Sequence, residues 1–189
     1  RNEIEAIGRE IRFHESSLMG KAYEQTAYAC GSVGTTEDTP SCTPDLSTAQ
    51  KKAVEQVNKA FADGKPVLLN GVTGSGKTEI YIHLALEALE RGKNVLYLVP
   101  EISLSRQLED RLETYFGDRL MTYHSRETSA DGRDTAEKIR ALHTEGNGNY
   151  VVLGTRSSLF LPHHNLGLII VDEEHDSSYK QDSPAPRYN

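Results

Sequence analysis

The chain has 189 residues, with 37% apolar and 26% charged side chains and a formal charge of −7. That length suits one full α/β domain plus a smaller appendage, and no run approaches the roughly 18 continuous apolar residues that a membrane span needs. The acidic balance counts against nucleic-acid binding by this segment alone, since stand-alone binders are more often basic, and it leaves room for a basic groove elsewhere.

Arg1 opens the chain without an initiator Met and Pro186-Arg187-Tyr188-Asn189 closes it, as expected of an excised segment, so a missing signal peptide carries little weight. Eleven residues separate Cys30 from Cys42. That spacing fits neither the CxxC pair of a zinc site nor a dense disulfide framework. Two unpaired thiols in a reducing, cytoplasmic compartment are the expectation.

Residues 1–46 and 47–189 differ in character. Glu3 to Phe13 is charged and reads as helical, and Gly31 to Pro44 is rich in Gly, Ser, Thr and Pro, a linker composition. From Ser47 onward helices and strands alternate. Thr48 to Ala62 places Ala53, Val54, Val57, Ala60 and Phe61 on one helical face and ends at Asp63-Gly64. Pro66 to Asn70 reads as a strand, Gly71 to Gly76 as a Gly-rich turn, and Lys77 to Arg91 as an amphipathic helix closed by Gly92. Val95 to Val99 is the next strand and Ile102 to Phe116 the next helix, stopped by Gly117. Leu120 to Tyr123, Tyr150 to Leu153 and Leu166 to Val171 complete the apolar runs, the last reading as a central strand, with a polar helix over Asp131 to His143. Short apolar runs separated by helices predict an α/β fold, a parallel sheet with helices on both faces. Right-handed crossovers then align the strand C-termini along one edge, where ligands bind.

Gly71-Val72-Thr73-Gly74-Ser75-Gly76-Lys77-Thr78 matches the phosphate-loop pattern GxxxxGK[ST] in full. Its glycines let backbone amides approach phosphate oxygens with no Cβ in the way. The helix that starts at Lys77 turns its unpaired N–H groups and positive dipole end toward the same anion. Lys77 adds a charge for the β- and γ-phosphates, and the Thr78 hydroxyl is a magnesium ligand. The strand Val67-Leu68-Leu69 before the loop and the helix after it supply the context of a P-loop NTPase.

The apolar run ending at Val171 leads into Asp172-Glu173-Glu174-His175. A charge run is most often a solvated loop. At the C-terminal end of a buried strand, though, Asp172 is placed to hold a Mg²⁺ shell through water and Glu173 to polarise the water that attacks the γ-phosphate. These two motifs together predict Mg-ATP binding.

Asp172-Glu173-Glu174-His175 is close to the DEAH-type box of superfamily 2 helicases. Asn70 to Glu79 (NGVTGSGKTE), Leu98 to Ser103 (LVPEIS) with Gln107, Tyr123-His124-Ser125, Gly154 to Phe160 (GTRSSLF) with Pro162, and Leu168 to Tyr179 (LIIVDEEHDSSY) with Lys180-Gln181 narrow the match. In this order and spacing they resemble the PriA family of replication-restart helicases, over about Ser47 to Tyr188. The resemblance implies that 47–189 is a first RecA-like lobe truncated after the DEEH box. In the whole protein it would power 3′-to-5′ movement on forked or single-stranded DNA in replication restart and primosome assembly. Replication-restart proteins and single-stranded-DNA-binding protein would be partners.

By the same resemblance Gln50 reads adenine, with a polar helix-surface position as the other reading. Pro100 and Glu101 face DNA, Thr155 and Arg156 contact the single-strand backbone, and His175 couples nucleotide state to DNA contacts. Asp176 to Tyr188 resembles an aromatic-rich DNA-sensing loop, in which Tyr179, Lys180, Arg187 and Tyr188 combine stacking faces with cations; a loose terminal tail is the other description.

Some features depart from the family. Thr128 to Asn149 fits poorly and lacks a Trp, with Ile139 near its position, and Asn189 stands where His is common. Cys30 and Cys42 are not the family's zinc cysteines, which belong to an insertion outside this chain. Residues 1–46 correspond by position alone to the remnant of a winged-helix-like domain plus a flexible linker. His163-His164 lacks a third ligand nearby in sequence. Another superfamily 2 translocase and a nucleotide-sensing module that does not hydrolyse ATP are the alternative functions. Phosphoryl transfer in such motors draws an arginine from a second lobe, so the chain alone is expected to be nearly inactive.

Overall fold

The computed structural model describes residues 9–12, 43–72, 74–101, 103–123, 131–145 and 148–180. Two compact units divide the chain, Arg1–Leu84 and Ala85–Asn189.

In the first unit α1 (Thr48–Ala62) follows a capping box: the Ser47 hydroxyl accepts from the Gln50 N–H, and the Gln50 side chain accepts from the Ser47 N–H. Two of the helix's otherwise unpaired donors are thereby satisfied. Its buried stripe runs through Ala53, Val54, Val57 and Ala60. Phe61, expected on that face, is 41% exposed in the last turn, so the stripe stops one residue early. Gly64, at φ +71°, closes the helix with its N–H on the Phe61 carbonyl.

β2 (Val67–Asn70) pairs in parallel with β1 (Arg9–Arg12), Arg9 opposite Val67 and Arg12 opposite Asn70. A helix was expected over Glu3 to Phe13. The charged residues there are good helix formers, but helix propensity is a weak prior, and the hydrogen-bonding edge of β2 recruits the segment as a strand. The rest of that expected helix lies outside the described residues.

α2 (Lys77–Glu90) begins in the first unit and ends in the second. Ile80, Ile82, Leu84, Ala85, Leu86, Ala88 and Leu89 are all buried, so the helix is covered nearly all round instead of amphipathic.

The second unit holds β3 (Asn94–Leu98), α3 (Arg106–Phe116), β4 (Leu120–Tyr123), α4 (Asp131–Glu145), β5 (Val151–Gly154) and β6 (Leu166–Val171). Its four strands are all parallel in the order β4-β5-β3-β6. Every residue of β3 is buried. Leu96 and Leu98 join Val152 of β5 and Ile139 of α4 in a cluster that Met121, Tyr123, Leu142, Leu166 and Tyr179 extend. Burying side chains of this size contributes about 1.5–3 kcal/mol each. α3 packs against β4, with Leu112 and Phe116 buried.

Two expectations shift here. α3 starts at Arg106 instead of Ile102, because the Ser103 and Leu104 N–H groups bond the Pro100 carbonyl and Ser105 caps the helix by accepting from the Leu108 N–H. β6 is an edge strand of the four-stranded sheet, not a central one: Leu168 and Ile170 are buried while Ile169 and Val171 are 52% and 43% exposed. A continuous apolar run does not by itself distinguish the two.

The strand starts are tied by Asn94, whose buried amide donates to the His164 carbonyl (2.8 Å) and accepts from the Tyr150 N–H (3.0 Å). Beside it β6 carries one extra residue: Asn94 lies opposite Leu166 and Val95 opposite Leu168, which leaves Gly167 as a bulge. A Cβ at Gly167 would collide with the Lys93 Cβ. Replacing Gly167 with Ala is therefore expected to cost about 1–3 kcal/mol, read as a lower midpoint in equilibrium urea denaturation.

The His143 ring of α4 lies tilted at 44° to that of His164 with centroids 4.4 Å apart, and Tyr150 lies beside His163 and His164. Folding thus brings a third histidine to the His163-His164 pair, yet among the described residues no group of three His, Cys, Asp or Glu could hold a metal ion. Burial, then the neighbouring His143 and His163, lowers the His164 pKa below its ordinary value. A depressed histidine favours the fold in its neutral form, so its contribution is present above about pH 6.5 and is lost as pH falls through the folded value. Thermal melts should show stability falling below that pH, and His164→Gln should flatten the decline.

Candidate functional site

In the first unit the end of β2 runs into the phosphate loop. Gly74 and Gly76 adopt φ of +77° and +83°, a left-handed backbone that side chains disfavour. A Cβ on Gly76 would also strike the Gln50 amide nitrogen, and one on Gly71 would come within 2.7 Å of the Ser75 Oγ. The Lys77 ammonium donates to the carbonyls of Gly71 (2.7 Å) and Val72 (3.2 Å), so the loop is curled around its own cation. Ser75 is buried, and among the described residues its Oγ has no hydrogen-bond partner.

Gln50 is 7% exposed, which removes the surface reading. Its Nε2 donates to the Gly76 carbonyl (3.1 Å) while its Oε1 serves the cap of α1. One N–H and one lone pair of the amide remain for a further partner. Thr73 lies outside the described residues.

A triphosphate fits these residues. The loop is backbone-lined where a Cβ would fill it, carries an unpaired buried hydroxyl and a lysine, and opens onto the start of α2.

The second unit gathers another set of groups at the C-terminal ends of its strands. The ladder continues one residue past β3 and β6: the Val99 N–H donates to the Gly154 carbonyl (3.0 Å) and the Asp172 N–H to the Leu98 carbonyl (2.9 Å). Asp172 accepts from the Tyr97 hydroxyl at Oδ2 (3.2 Å). Its backbone carbonyl accepts from the Tyr179 hydroxyl (2.8 Å). Burial, followed by the charges of Asp172, Asp176, Glu173 and Glu174, raises the Tyr179 pKa well above its ordinary value, so that hydroxyl stays protonated as a donor.

Glu173 has φ +49°, which costs a residue with a Cβ about 1–2 kcal/mol. Its N–H donates to the Asp172 Oδ1 (3.0 Å), and its Oε2 accepts from the Ser103 hydroxyl (3.1 Å). His175 is largely exposed, with Nδ1 3.9 Å from Glu174.

The loop after β5 is tightly built. A Cβ on Gly154 would lie 2.8 Å from the Ser158 Cβ, and the buried Ser158 hydroxyl donates to the Thr155 carbonyl (2.6 Å).

A DEAD/DEAH box helicase model matches residues 47–186, three quarters of the chain. The chain belongs to the DEAD/DEAH box helicase family. It is 46% identical over 146 residues to the replication restart protein PriA of Synechocystis sp., covering 77% of this chain and 17% of that protein. The corresponding protein of Rickettsia prowazekii is 48% identical over 139 residues (74% of this chain, 20% of that protein), and that of Bacillus subtilis 41% over 146 residues (76% and 17%). The chain thus spans about a fifth of the length of the curated relatives it matches. Helicases of this family use ATP and Mg²⁺ and are α/β proteins with a RecA-like P-loop fold, and this chain has both a parallel sheet and a phosphate loop.

Of the residues expected to meet DNA, Pro100 is buried and Glu101 exposed. Thr155 is buried, with its hydroxyl against the Ser157 hydroxyl (3.2 Å). Arg156 donates to the Ser178 carbonyl (2.7 Å), tying this loop to the segment after the DEEH box. Tyr179 is half-buried and Lys180 exposed, while Arg187 and Tyr188 lie outside the described residues.

Tyr97 and Ser103 went unrecognised from sequence. Tyr97 reads as one more apolar strand residue, and its hydroxyl on Asp172 has no sequence signature. Ser103 stands inside a family block, but its partner is 70 residues away.

Gly76→Ala is expected to weaken ATP-analogue binding at least about tenfold by forcing the loop off its backbone conformation. Fluorescence titration would check this, with circular dichroism showing the fold retained.

Proposed function

We propose that this chain is the ATP-binding lobe of a DNA-dependent ATPase that powers 3′-to-5′ movement along forked or single-stranded DNA in replication restart and primosome assembly. The observation that carries this reading is the phosphate loop, in which two left-handed glycines and the Lys77 ammonium form a cradle leading into α2. Residues 47–189 are the first RecA-like lobe. Residues 1–46 are the end of a preceding domain with a linker, Arg9–Arg12 lending a strand to β2.

Backbone amides of Gly71, Thr73, Gly74, Ser75 and Gly76 bind phosphate oxygens, and Lys77 neutralises the β- and γ-phosphates. Gln50 contacts adenine with its remaining amide capacity. Thr78 and Asp172 are the residues that would hold Mg²⁺. When bound, the magnesium triphosphate supplies the electrophilic phosphorus and the leaving group. Glu173 orients the attacking water and draws its proton. Asp172 is oriented by the hydrogen bond it accepts from the Tyr97 hydroxyl.

His175 couples nucleotide state to DNA contacts made by Pro100, Glu101, Thr155, Arg156, Tyr179, Lys180, Arg187 and Tyr188. Replication-restart proteins and single-stranded-DNA-binding protein are the partners, in the cytoplasm. Developing transition-state charge is met by an arginine from a second lobe, worth roughly 10³–10⁵ in rate.

Lys77→Ala is expected to weaken nucleotide binding by about tenfold or more, measured by fluorescence titration. In a protein of the relatives' full length, Glu173→Gln should keep nucleotide affinity and lower DNA-stimulated hydrolysis by about 100-fold or more. Undiminished hydrolysis in that variant would rule out this motor. The 189-residue chain alone should turn over ATP below about a thousandth of the full-length rate.

A further inference from the structure

Glu173 is held by its backbone to an unusual degree. The Asp172 N–H before it is tied to the Leu98 carbonyl (2.9 Å), its own N–H to the Asp172 carboxylate (3.0 Å), and its carbonyl to the Asp176 N–H (2.8 Å). These bonds keep the residue at φ +49° and set the direction in which its Cβ leaves the chain. Strained backbone of this kind persists where the surroundings over-determine it, often at functional positions. Three side-chain torsions remain, enough to sweep an exposed carboxylate through several positions.

The Ser103 hydroxyl limits that sweep by donating to the Glu173 Oε2 (3.1 Å). Ser103 is itself set by the turn that leaves β3, its N–H on the Pro100 carbonyl (2.9 Å) with the Leu104 N–H on the same oxygen (3.2 Å). Neighbouring strands β3 and β6 thus each contribute one side of a single hydrogen bond, and the ladder between them keeps its two ends in register. A hydroxyl suits the task. It donates to a carboxylate without adding a charge that would compete for it.

We infer that Ser103 is a positioning residue for hydrolysis, orienting the Glu173 carboxylate toward the attacking water. This rests on the role proposed for Glu173. A base that must lie within hydrogen-bond reach of one water loses efficiency when it samples several positions.

The test combines kinetics in a protein of the relatives' full length with a spectroscopic readout in this chain. Ser103→Ala should lower kcat for DNA-stimulated ATP hydrolysis by about tenfold with KM for ATP within about twofold, and Ser103→Thr should restore most of it. Adding Ser103→Ala to Glu173→Gln should cause no further loss. In the ¹³C-labelled chain, the Glu173 carboxyl resonance, assigned by its disappearance in Glu173→Gln, should move in Ser103→Ala and stay near its original position in Ser103→Thr. An unchanged kcat in Ser103→Ala, a loss that Thr does not rescue, a further loss on the Gln background, or an unmoved carboxyl resonance would each overturn the inference. Full hydrolysis in Glu173→Gln would instead overturn the role of Glu173, a separate and distinguishable failure.

Discussion

The second unit depends on one strand, β3, which is buried along its whole length and hydrogen-bonded on both sides. With its backbone groups satisfied by β5 and β6, the strand has little freedom to slide, because a one-residue slip would turn its apolar set over to the other face. The ends of its neighbours follow from that. Asp172 takes its place because its N–H is the next rung on Leu98, and Gly154 because its carbonyl receives the Val99 N–H. Asn94 performs the matching task at the opposite end.

At the edge so defined, four carboxylates within five residues (Asp172, Glu173, Glu174 and Asp176) would repel one another in an unstructured turn. Hydroxyl and amide donors meet three of them. Tyr97 serves the Asp172 carboxylate, Ser103 serves Glu173, and the Ser178 N–H and hydroxyl serve Asp176, whose pKa they lower. Neutral donors stabilise negative charge without consuming it.

Much of this was legible in the residues. Thr48–Ala62 and Leu166–Val171 appear with the expected bounds, since capping residues and apolar period are local signals. The phosphate-loop pattern is local too, and two of its glycines, Gly74 and Gly76, take left-handed φ. Other features were out of reach for a physical reason: they depend on partners distant in sequence. The strand at Arg9–Arg12 exists through β2, the histidine group forms when α4 brings His143 to His164, and Tyr97 gains its role from a carboxylate 75 residues on. The edge position of β6 was missed because hydrophobicity reports that a strand is buried, not how many neighbours it has.

Gln50 is shared by two structures at once, the first turn of α1 and the carbonyl of Gly76. A single amide therefore works as a latch across 26 residues of sequence. A rearrangement that swings Gly76 away removes one of the amide's two partners, while a group that binds its remaining N–H and lone pair leaves both bonds in place. The start of α1 and the phosphate loop thereby share one side chain, each bond restricting the rotamer that the other uses.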